Sequence, residues 1–372
     1  MSKLNSIPEA IEAIQRGEII IVVDDEDREN EGDFLISARH ATPEVINFMA
    51  THGRGLICAP LLESRCDELE LELMVQANNA AYETPFTVSV DLLDHGCTTG
   101  ISASDRAKTI QALINPDTRP DELGRPGHIF PLRAKAGGVL RRPGHTEAAV
   151  DFSRLAGFEP AGVIVEIMNE DGTMARLPEL RKLAKLYNMK LVSIADLIAY
   201  RLEHESLIER TAEVELNTAF GTFTAISFRQ TTNDVDHLAM VMGEWEPEEA
   251  VPVRVHASSM VADIFQVSDF GKGPQLHQAL QQIQIAGKGA VVFLNKTRHG
   301  GGLADELHAY STMKEAQKHG SYPTLDSKDR GIGAQILRSI GVKNIVLLSN
   351  SAQATGDVGF GLTVTQVEPI QE

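Results

Sequence analysis

The sequence predicts a mixed α/β (α+β) protein of two domains, and three observations lead to this prediction. The chain has 372 residues, more than a usual single domain. In roughly the first 200 residues, short runs rich in Val and Ile alternate with segments of helical pattern. From Ala212 to Arg229 the pattern changes to β-strand, with Thr and Phe prominent. We therefore place the boundary near residue 208 and predict domains of residues 1–207 and 208–372.

The first domain is predicted to combine a mixed sheet with helices. Pro8 to Arg16 is predicted to be a helix, followed by the apolar strand Ile19 to Val23. A second helix begins at Pro43, because Thr42 can cap it and proline suits the first helical position. Further strands are predicted at 55–59, 86–90, 162–168 and 190–193, and further helices at 104–114, 146–156, 178–187 and 194–203.

The second domain is predicted to follow the same mixed pattern after its β-rich start. Its strands are predicted at 235–242, 251–256 and 289–294, where β-branched residues concentrate. Its helices are predicted at 274–286, 303–319 and 331–339.

Composition limits the classes of function. Hydrophobic residues make up 42% and charged residues 23% of the chain, which is typical of a soluble globular protein. The net charge of -18 argues against a nucleic-acid partner. We also expect no membrane partner, since no apolar run approaches the roughly 20 residues of a membrane span. The start of the chain lacks the apolar region of a signal peptide. The three cysteines show no disulfide or metal-site spacing, so a reducing cytoplasm is expected.

The most informative segment is the acidic run from Asp24 to Asp33, in which seven of ten residues are acidic. It directly follows the predicted strand Ile19 to Val23. Crowded carboxylates are costly unless a cation neutralises them, and Mg²⁺ does this with one or two carboxylates plus water and substrate oxygens. The alternative is a solvated acidic turn. An EF-hand fits poorly, because position six from Asp25 is Asn30 and position twelve is Ile36.

A second segment, from Gly137 to Ala148, combines a glycine turn, two arginines and a predicted helix start with Thr146 as N-cap. Free N–H groups at a helix start and arginine side chains both suit a phosphate. His145 would then stand beside that phosphate as a metal ligand or an acid/base group. The alternative is a surface turn with unrelated arginines.

Three single residues also carry possible chemistry. His128 lies between a predicted turn and a strand, where a structural role is the commoner one. Glu166 interrupts an apolar strand, so it lies either on a solvated face or is held inward for a purpose. Cys58 is predicted to be a small buried hydrophobic residue.

Together these segments closely resemble 3,4-dihydroxy-2-butanone 4-phosphate synthase, an enzyme family of riboflavin synthesis. The resemblance covers nearly all of residues 5–205. Its matching stretches include DDEDRENEGD at 24–33, THGRGLIC at 51–58, FTVSVD at 86–91, TTGISASDRAKTI at 98–110, RPGHIFPLRAKAGGVLRRPGHTEAAVD at 125–151 and LAGFEPAGVIVEIMNEDGTMAR at 155–176.

The resemblance implies that D-ribulose 5-phosphate is converted to L-3,4-dihydroxy-2-butanone 4-phosphate and formate. It implies two Mg²⁺ or Mn²⁺ ions per active site, with Glu29 and His145 as metal ligands, and His128 and Glu166 as catalytic residues. The implied substrate-binding residues are Arg28, Glu29, Asp33, Arg142, Pro143, Gly144, His145, Thr146 and Glu166. Cys58 matches a cysteine near the family's active site. A homodimer is implied as well.

Residues 212–370 resemble GTP cyclohydrolase II, a domain often fused to this synthase. That family binds zinc with three cysteines, but this chain has Ser259, Phe270 and Lys272 at the matching places and no cysteine after Cys97. Its conserved Gln-Glu-Gly-Arg stretch is replaced by residues 296–302, and its Asp-x-Arg motif by Asp326-Ser327-Lys328. The domain is therefore expected to keep the fold, bind no zinc and lack cyclohydrolase activity.

Two other interpretations stay open. One is a bifunctional enzyme that also has GTP cyclohydrolase II activity. The other is a binding protein that senses a sugar phosphate or a flavin without turnover.

Overall fold

The computed structural model divides into two compact units, residues 1–201 and residues 202–372. The described residues are 4–25, 28–75, 77–80, 82, 84–233, 235–259, 263–265, 275–295, 307–308, 311, 327–350, 355–357 and 361–370.

The first unit is built on a seven-stranded mixed sheet. In chain order its strands are β1 (Ile20–Val23), β2 (Gly32–Ser37), β3 (Cys58–Leu62), β4 (Val90–Leu92), β5 (Leu123–Ala134), β6 (Gly162–Glu166) and β7 (Leu191–Ser193). Their spatial order is β4-β5-β3-β6-β2-β1-β7. The pairs β1/β7 and β3/β5 are parallel, and the other pairs are antiparallel. The strands of the centre are buried on both faces, which explains their continuous apolar runs.

Helices cover both faces of this sheet. They are α1 (Ile7–Gln15), α2 (Pro43–Gly53), α3 (Glu63–Glu68), α4 (Ala103–Ile114), α5 (His145–Leu155), α6 (Leu177–Leu186) and α7 (Ile194–His204). One apolar cluster joins α2, α4 and α6 to alternate strand residues such as Phe34 and Ile36. The other joins α1, α5 and α7 to Ile20, Leu35 and Ile164. The unit is thus a helix–sheet–helix sandwich.

Local sequence signals explain the helix starts that were predicted. The Thr42 hydroxyl accepts a hydrogen bond from the Val45 N–H at 3.3 Å, and Pro43 occupies the first turn of α2. At the start of α1, the Ser6 N–H and the Ser6 hydroxyl both donate to Glu9 Oε2, each at 2.9 Å. The predicted helices of this unit are confirmed to within one or two residues.

Several predicted strands and one predicted cap are wrong in detail. Strand β3 begins at Cys58 rather than Gly55, because Arg54 ends α2 in a left-handed conformation with φ 69°. The 86–90 segment forms isolated bridges and enters the sheet only at Val90. His128 lies within the long strand β5 instead of before a strand. The N-cap of α5 is Gly144, so Thr146 is not the cap but a buried residue of the first turn.

The second unit contains an eight-stranded mixed sheet. Its strands are β8 (Ile208–Thr218), β9 (Gly221–Gln230), β10 (Asp236–Met242), β11 (Ala250–Ala257), β12 (Gly289–Leu294), β13 (Asn344–Leu348), β14 (Gly356–Asp357) and β15 (Thr363–Glu368). The spatial order is β14-β15-β13-β11-β12-β10-β9-β8. The described helices are α8 (Gln275–Ala286) and α9 (Ser327–Ser339), and α8 packs through Ile283 on Phe223 and Val291.

These two mixed units confirm the predicted fold class. The strands predicted at 235–242, 251–256 and 289–294 are present as β10, β11 and β12. The helix predicted at 303–319 falls almost wholly outside the described residues. Among the residues that the structure describes, no helix is both long enough and apolar enough to cross a membrane.

Candidate active site

Strand register places two carboxylates side by side at the end of one face of the first sheet. Asp33 of β2 is directly opposite Glu166 of β6, and Val22 of β1 is opposite Asp33. On the same face, further towards the middle of these two strands, Leu35 and Ile164 belong to a buried apolar cluster. Asp33 is only 3% exposed. A buried carboxylate beside a second one is unfavourable unless a cation balances the charge.

His145 supplies the nearest cationic group. It is the first residue of α5 and only 6% exposed. Its Nε2 donates a hydrogen bond to the Val22 carbonyl oxygen at 3.1 Å. The other ring nitrogen, Nδ1, lies 3.8 Å from Glu29 Oε2 and 4.0 Å from Asp33 Oδ1. A backbone carbonyl that fixes one ring nitrogen leaves the other available to a metal ion.

Asp24 organises the acidic loop from inside. Its carboxylate accepts hydrogen bonds from the N–H groups of Glu29 at 3.1 Å and Glu31 at 2.8 Å. It also pairs with Arg28 Nη1 at 2.7 Å, and its side chain is fully buried. The loop therefore folds back on the first acidic residue after β1. This fold turns the Glu29 carboxylate towards His145.

The electrostatics of the pocket follow from burial and from these neighbours. Burial raises the pKa of Asp33 to about 7, with Glu166 and Glu29 adding to the rise and His145 opposing it. Burial opposes the charged form of His145, but the negative charges of Asp33, Asp24 and Glu29 outweigh it and raise its pKa to about 9. Burial likewise opposes ionisation of Glu29, whereas His145 and Arg28 lower its pKa overall. The negative charge of the carboxylates in this pocket therefore exceeds the positive charge of His145 and Arg28.

The donor set fits a hard divalent cation. Asp24, Glu29 and His145 each offer one ligand atom, and these three atoms lie within 4.8 Å of one another. Cis ligands of an octahedral Mg²⁺ ion stand about 3 Å apart. The 3.8 Å between His145 Nδ1 and Glu29 Oε2 therefore needs only a small closure. Asp33 lies beside this set, where it could bind water or a substrate hydroxyl.

The segment before α5 is held by an internal ion pair. Arg142 Nη1 pairs with Glu147 Oε2 at 2.8 Å, and the Glu147 side chain is fully buried. Glu147 also accepts the Lys135 N–H. A Cβ at position 144 would lie 2.4 Å from Arg142 Nη1, so a larger residue there would displace the guanidinium from its present position. The arginine and the start of α5 consequently form one rigid corner next to His145.

Tyr82 joins this corner to the acidic loop. Its hydroxyl donates to the Arg28 carbonyl oxygen at 2.6 Å, and its ring lies 5.2 Å from the Arg28 guanidinium. Its own carbonyl oxygen accepts a hydrogen bond from Arg142 Nη2 at 3.0 Å. Sequence analysis missed Tyr82, Asp24 and Glu147. Asp24 has a usable signal as the first carboxylate after the strand, whereas Tyr82 has none.

The remaining predicted site residues differ in their placement. Glu166 accepts the Leu56 N–H at 2.8 Å and borders the pocket through Asp33. Pro143 and Arg28 line one shallow cavity. Among the described residues, His128 is not part of the metal-ligand cluster: it lies on β5, two strands from Glu166 in the sheet order, and is exposed.

Cys58 is a core residue. It is buried between Phe130 of β5 and Ile164 of β6. Burial raises the pKa of its thiol well above the ordinary value, and the nearby charges of Glu166 and Asp33 add to this. The thiol is therefore a poor nucleophile at neutral pH.

In the second unit, Ser259 stands where the GTP cyclohydrolase II family has a zinc-binding cysteine, and an aspartate and a histidine lie beside it. Asp263 pairs with His256 Nε2 at 2.7 Å and accepts the Ser259 N–H at 2.9 Å. The other substituted positions, Phe270, Lys272, residues 296–302 and Asp326, lie outside the described residues, as do the side chains of Ser327 and Lys328.

Comparison with known proteins gives two family matches. The sequence profile of 3,4-dihydroxy-2-butanone 4-phosphate synthase matches residues 8–200, and that of GTP cyclohydrolase II matches residues 209–369. The riboflavin biosynthesis protein RibBA of Cytophaga hutchinsonii is 56% identical, with 99% of this chain and 93% of the relative aligned. RibBA of Porphyromonas gingivalis is 49% identical over the same shares.

Solved structures agree. RibBX from A. baumannii, described as a two-domain 3,4-dihydroxy-2-butanone 4-phosphate synthase, matches with a TM-score of 0.75 and 39% identity over 99% of this chain and 100% of that one. A 3,4-dihydroxy-2-butanone 4-phosphate synthase in complex with two magnesium ions matches 54% of this chain and 98% of its own, with a TM-score of 0.52 and 43% identity. The chain therefore belongs to the 3,4-dihydroxy-2-butanone 4-phosphate synthase family, joined to a GTP cyclohydrolase II domain, and is a divalent-metal-dependent lyase of riboflavin biosynthesis.

Proposed function

We propose that residues 1–207 convert D-ribulose 5-phosphate into L-3,4-dihydroxy-2-butanone 4-phosphate and formate, and that residues 208–372 form a domain without cyclohydrolase activity. The observation that carries the first part is the convergence of Glu29 Oε2, His145 Nδ1 and the Asp24 carboxylate. Two ions of Mg²⁺ or Mn²⁺ complete this site in the proposal, with Glu29 and His145 as protein ligands. The magnesium-bound relative supports this number.

A divalent cation at this place would polarise the keto sugar's carbonyl and stabilise enediolate charge. The side chains have separate tasks in the proposal. Asp33 is proposed to bind the sugar and Glu166 to transfer a proton, because strand pairing holds these two carboxylates side by side at the edge of the metal site. His128 is proposed as a further proton-transfer residue.

The phosphate is assigned to the corner formed by Arg142, Pro143, Gly144, His145 and Thr146. The start of α5 offers free N–H groups there, and Arg142 adds a positive charge. Arg28 lies across the pocket beside Glu29 and is linked to this corner by Tyr82. The proposal requires Arg142 to reach the phosphate while keeping its contact with Glu147. A homodimer is retained in the proposal from the family resemblance.

The absence of any cysteine after Cys97 supports an inactive second domain, since a thiolate zinc site needs such residues. RibBX, whose description names only the synthase activity, supports the same conclusion. The match of residues 209–369 to GTP cyclohydrolase II favours a second candidate, a bifunctional enzyme. A sensitive assay for formate and diaminopyrimidine product from GTP separates the two, and product in a clean preparation would establish the second candidate.

The synthase proposal is tested by formate release from ribulose 5-phosphate with and without Mg²⁺. Wild type is expected to release formate only with the metal. Glu29→Ala and His145→Ala should each abolish turnover, while Glu12→Gln, an exposed change on α1, should not. Retained turnover in both site variants would refute the ligand roles. Metal-dependent binding of the sugar phosphate without turnover by wild type would point to a sensor.

A further inference from the structure

Asp91 and His128 are joined by two hydrogen bonds at the edge of the first sheet. Asp91 Oδ1 accepts the His128 backbone N–H at 2.8 Å, and Asp91 Oδ2 lies 2.7 Å from His128 Nδ1. An ionised carboxylate can only accept hydrogen bonds, so Nδ1 carries the proton. The other ring nitrogen, Nε2, then has a free lone pair. One carboxylate thus fixes both the position of the residue and the tautomer of its ring.

The surroundings hold this carboxylate in place. Gly100 has φ +87°, and a Cβ on it would lie 2.0 Å from Asp91 Oδ2. A Cβ on Gly127 would lie 2.0 Å from the Val90 carbonyl carbon. Glycine at both positions lets the 98–100 segment and strand β5 close tightly around Asp91. The Asp91 side chain is mostly shielded, whereas that of His128 is 43% exposed. The pair therefore holds the His128 ring in a fixed orientation, with its Nε2 edge at the surface of the sheet.

We propose that Asp91 is a positioning residue for His128. It holds Nδ1 as the donor and leaves Nε2 as the atom that takes up and returns a proton, while its negative charge stabilises the imidazolium formed in between. The inference rests on the proposed function, in which His128 exchanges a proton with the sugar phosphate. In this proposal Asp91 acts only through His128.

The chain offers a matched control for this pair. His95 and Glu122 form a second imidazole–carboxylate contact at 3.3 Å in the same part of the first unit, but there the imidazole is more exposed and the contact involves a single carboxylate oxygen. Glu122→Gln removes one negative charge beside a histidine, as Asp91→Asn does. It should leave turnover unchanged.

The test combines a tautomer measurement with kinetics on the full chain. Histidine labelled with ¹⁵N, with His128 assigned from the spectrum of His128→Gln, should show the Nδ1–H tautomer in wild type and a shift towards Nε2–H in Asp91→Asn. Formate release by Asp91→Asn should fall about 10²- to 10⁴-fold in kcat, with a much smaller change in KM.

Several outcomes would overturn the inference. One is an Nε2–H tautomer in wild type, which is decisive even if the variant folds poorly. Another is a large loss of turnover in Asp91→Asn with the tautomer unchanged, which would make Asp91 a structural residue. Wild-type turnover in Asp91→Asn would overturn it as well. Failure of the proposed function is a separate result, since it would appear as absent formate release in wild type while the tautomer stays measurable.

Discussion

Asp24→Asn removes the charge at the centre of the acidic loop while keeping the side chain's shape. The wild-type carboxylate holds two backbone N–H groups and the Arg28 guanidinium, at distances of 3.1, 2.8 and 2.7 Å. The amide keeps a single, neutral acceptor oxygen, so all three donors lose an ionised partner and at least one of them also loses its acceptor atom. Hydrogen bonds to charged groups contribute about 1.5–3 kcal/mol each. Because Arg28 still pairs with Glu29, we expect the unfolding free energy of the first unit to fall by about 3 kcal/mol.

The same change should weaken Mg²⁺ binding, because the Glu29 backbone is no longer fixed and a candidate ligand loses its charge. A loss of about 10- to 100-fold in affinity is expected, as for other groups that orient metal ligands. Urea unfolding followed by circular dichroism gives the stability, and titration calorimetry gives the Mg²⁺ affinity. Glu12→Gln, which makes the same charge change at an exposed position, should alter neither. Wild-type unfolding and wild-type Mg²⁺ affinity in Asp24→Asn would show that the Asp24 carboxylate does not hold the loop.

Three further predictions concern neighbouring groups. Glu166→Gln should fold and bind ribulose 5-phosphate but release formate at least about 100-fold more slowly, and near-normal turnover would remove its proton-transfer role. Gly55→Ala should lower both stability and turnover, because its Cβ would lie 2.4 Å from Glu166 Oε2 and 2.6 Å from the Glu166 carbonyl oxygen; a normal melting temperature and normal turnover would contradict this. In EDTA, the unfolding free energy should fall as the pH rises from about 7 to about 9. The pKa of His145 is raised from 6.5 to about 9, so its stabilising contribution is complete below 6.5 and is lost as the pH rises through about 9. The pKa of Asp33 is raised from 3.8 to about 7, so its contribution is lost earlier, between about pH 4 and about pH 7, and adds no further change above that range. Urea midpoints that rise with pH would contradict the last prediction.

Much of the fold could be predicted because its elements carry local signals. The apolar run before Asp24, the cap at Thr42 and the Val- and Ile-rich strand that ends at Glu166 all lie within a few consecutive residues. Strand β5 was not predicted at its full length, because Pro126 and Gly127 break the usual strand pattern. The pairing with β3 and β4, which holds it, depends on residues far away in the chain.

The site was predictable at the level of segments but not of contacts. The acidic loop and the turn before α5 were identified from composition and glycine placement. The Nε2 bond of His145 to Val22, which leaves Nδ1 for a ligand, joins residues 123 positions apart and has no local signature. The predicted cap at Thr146 was wrong because the extended backbone ends at Gly144, two residues earlier, so that Thr146 already lies in the first turn of α5. Such contacts depend on how elements that are distant in the chain pack together, which local sequence does not show.

In the proposed site, one divalent cation is bound jointly by the early acidic loop and the start of α5. Anomalous diffraction from crystals soaked in Mn²⁺ tests it most directly. We predict a peak about 2.0–2.3 Å from both Glu29 Oε2 and His145 Nδ1. A manganese peak elsewhere in the first unit, with these two side chains left without metal, would contradict the account.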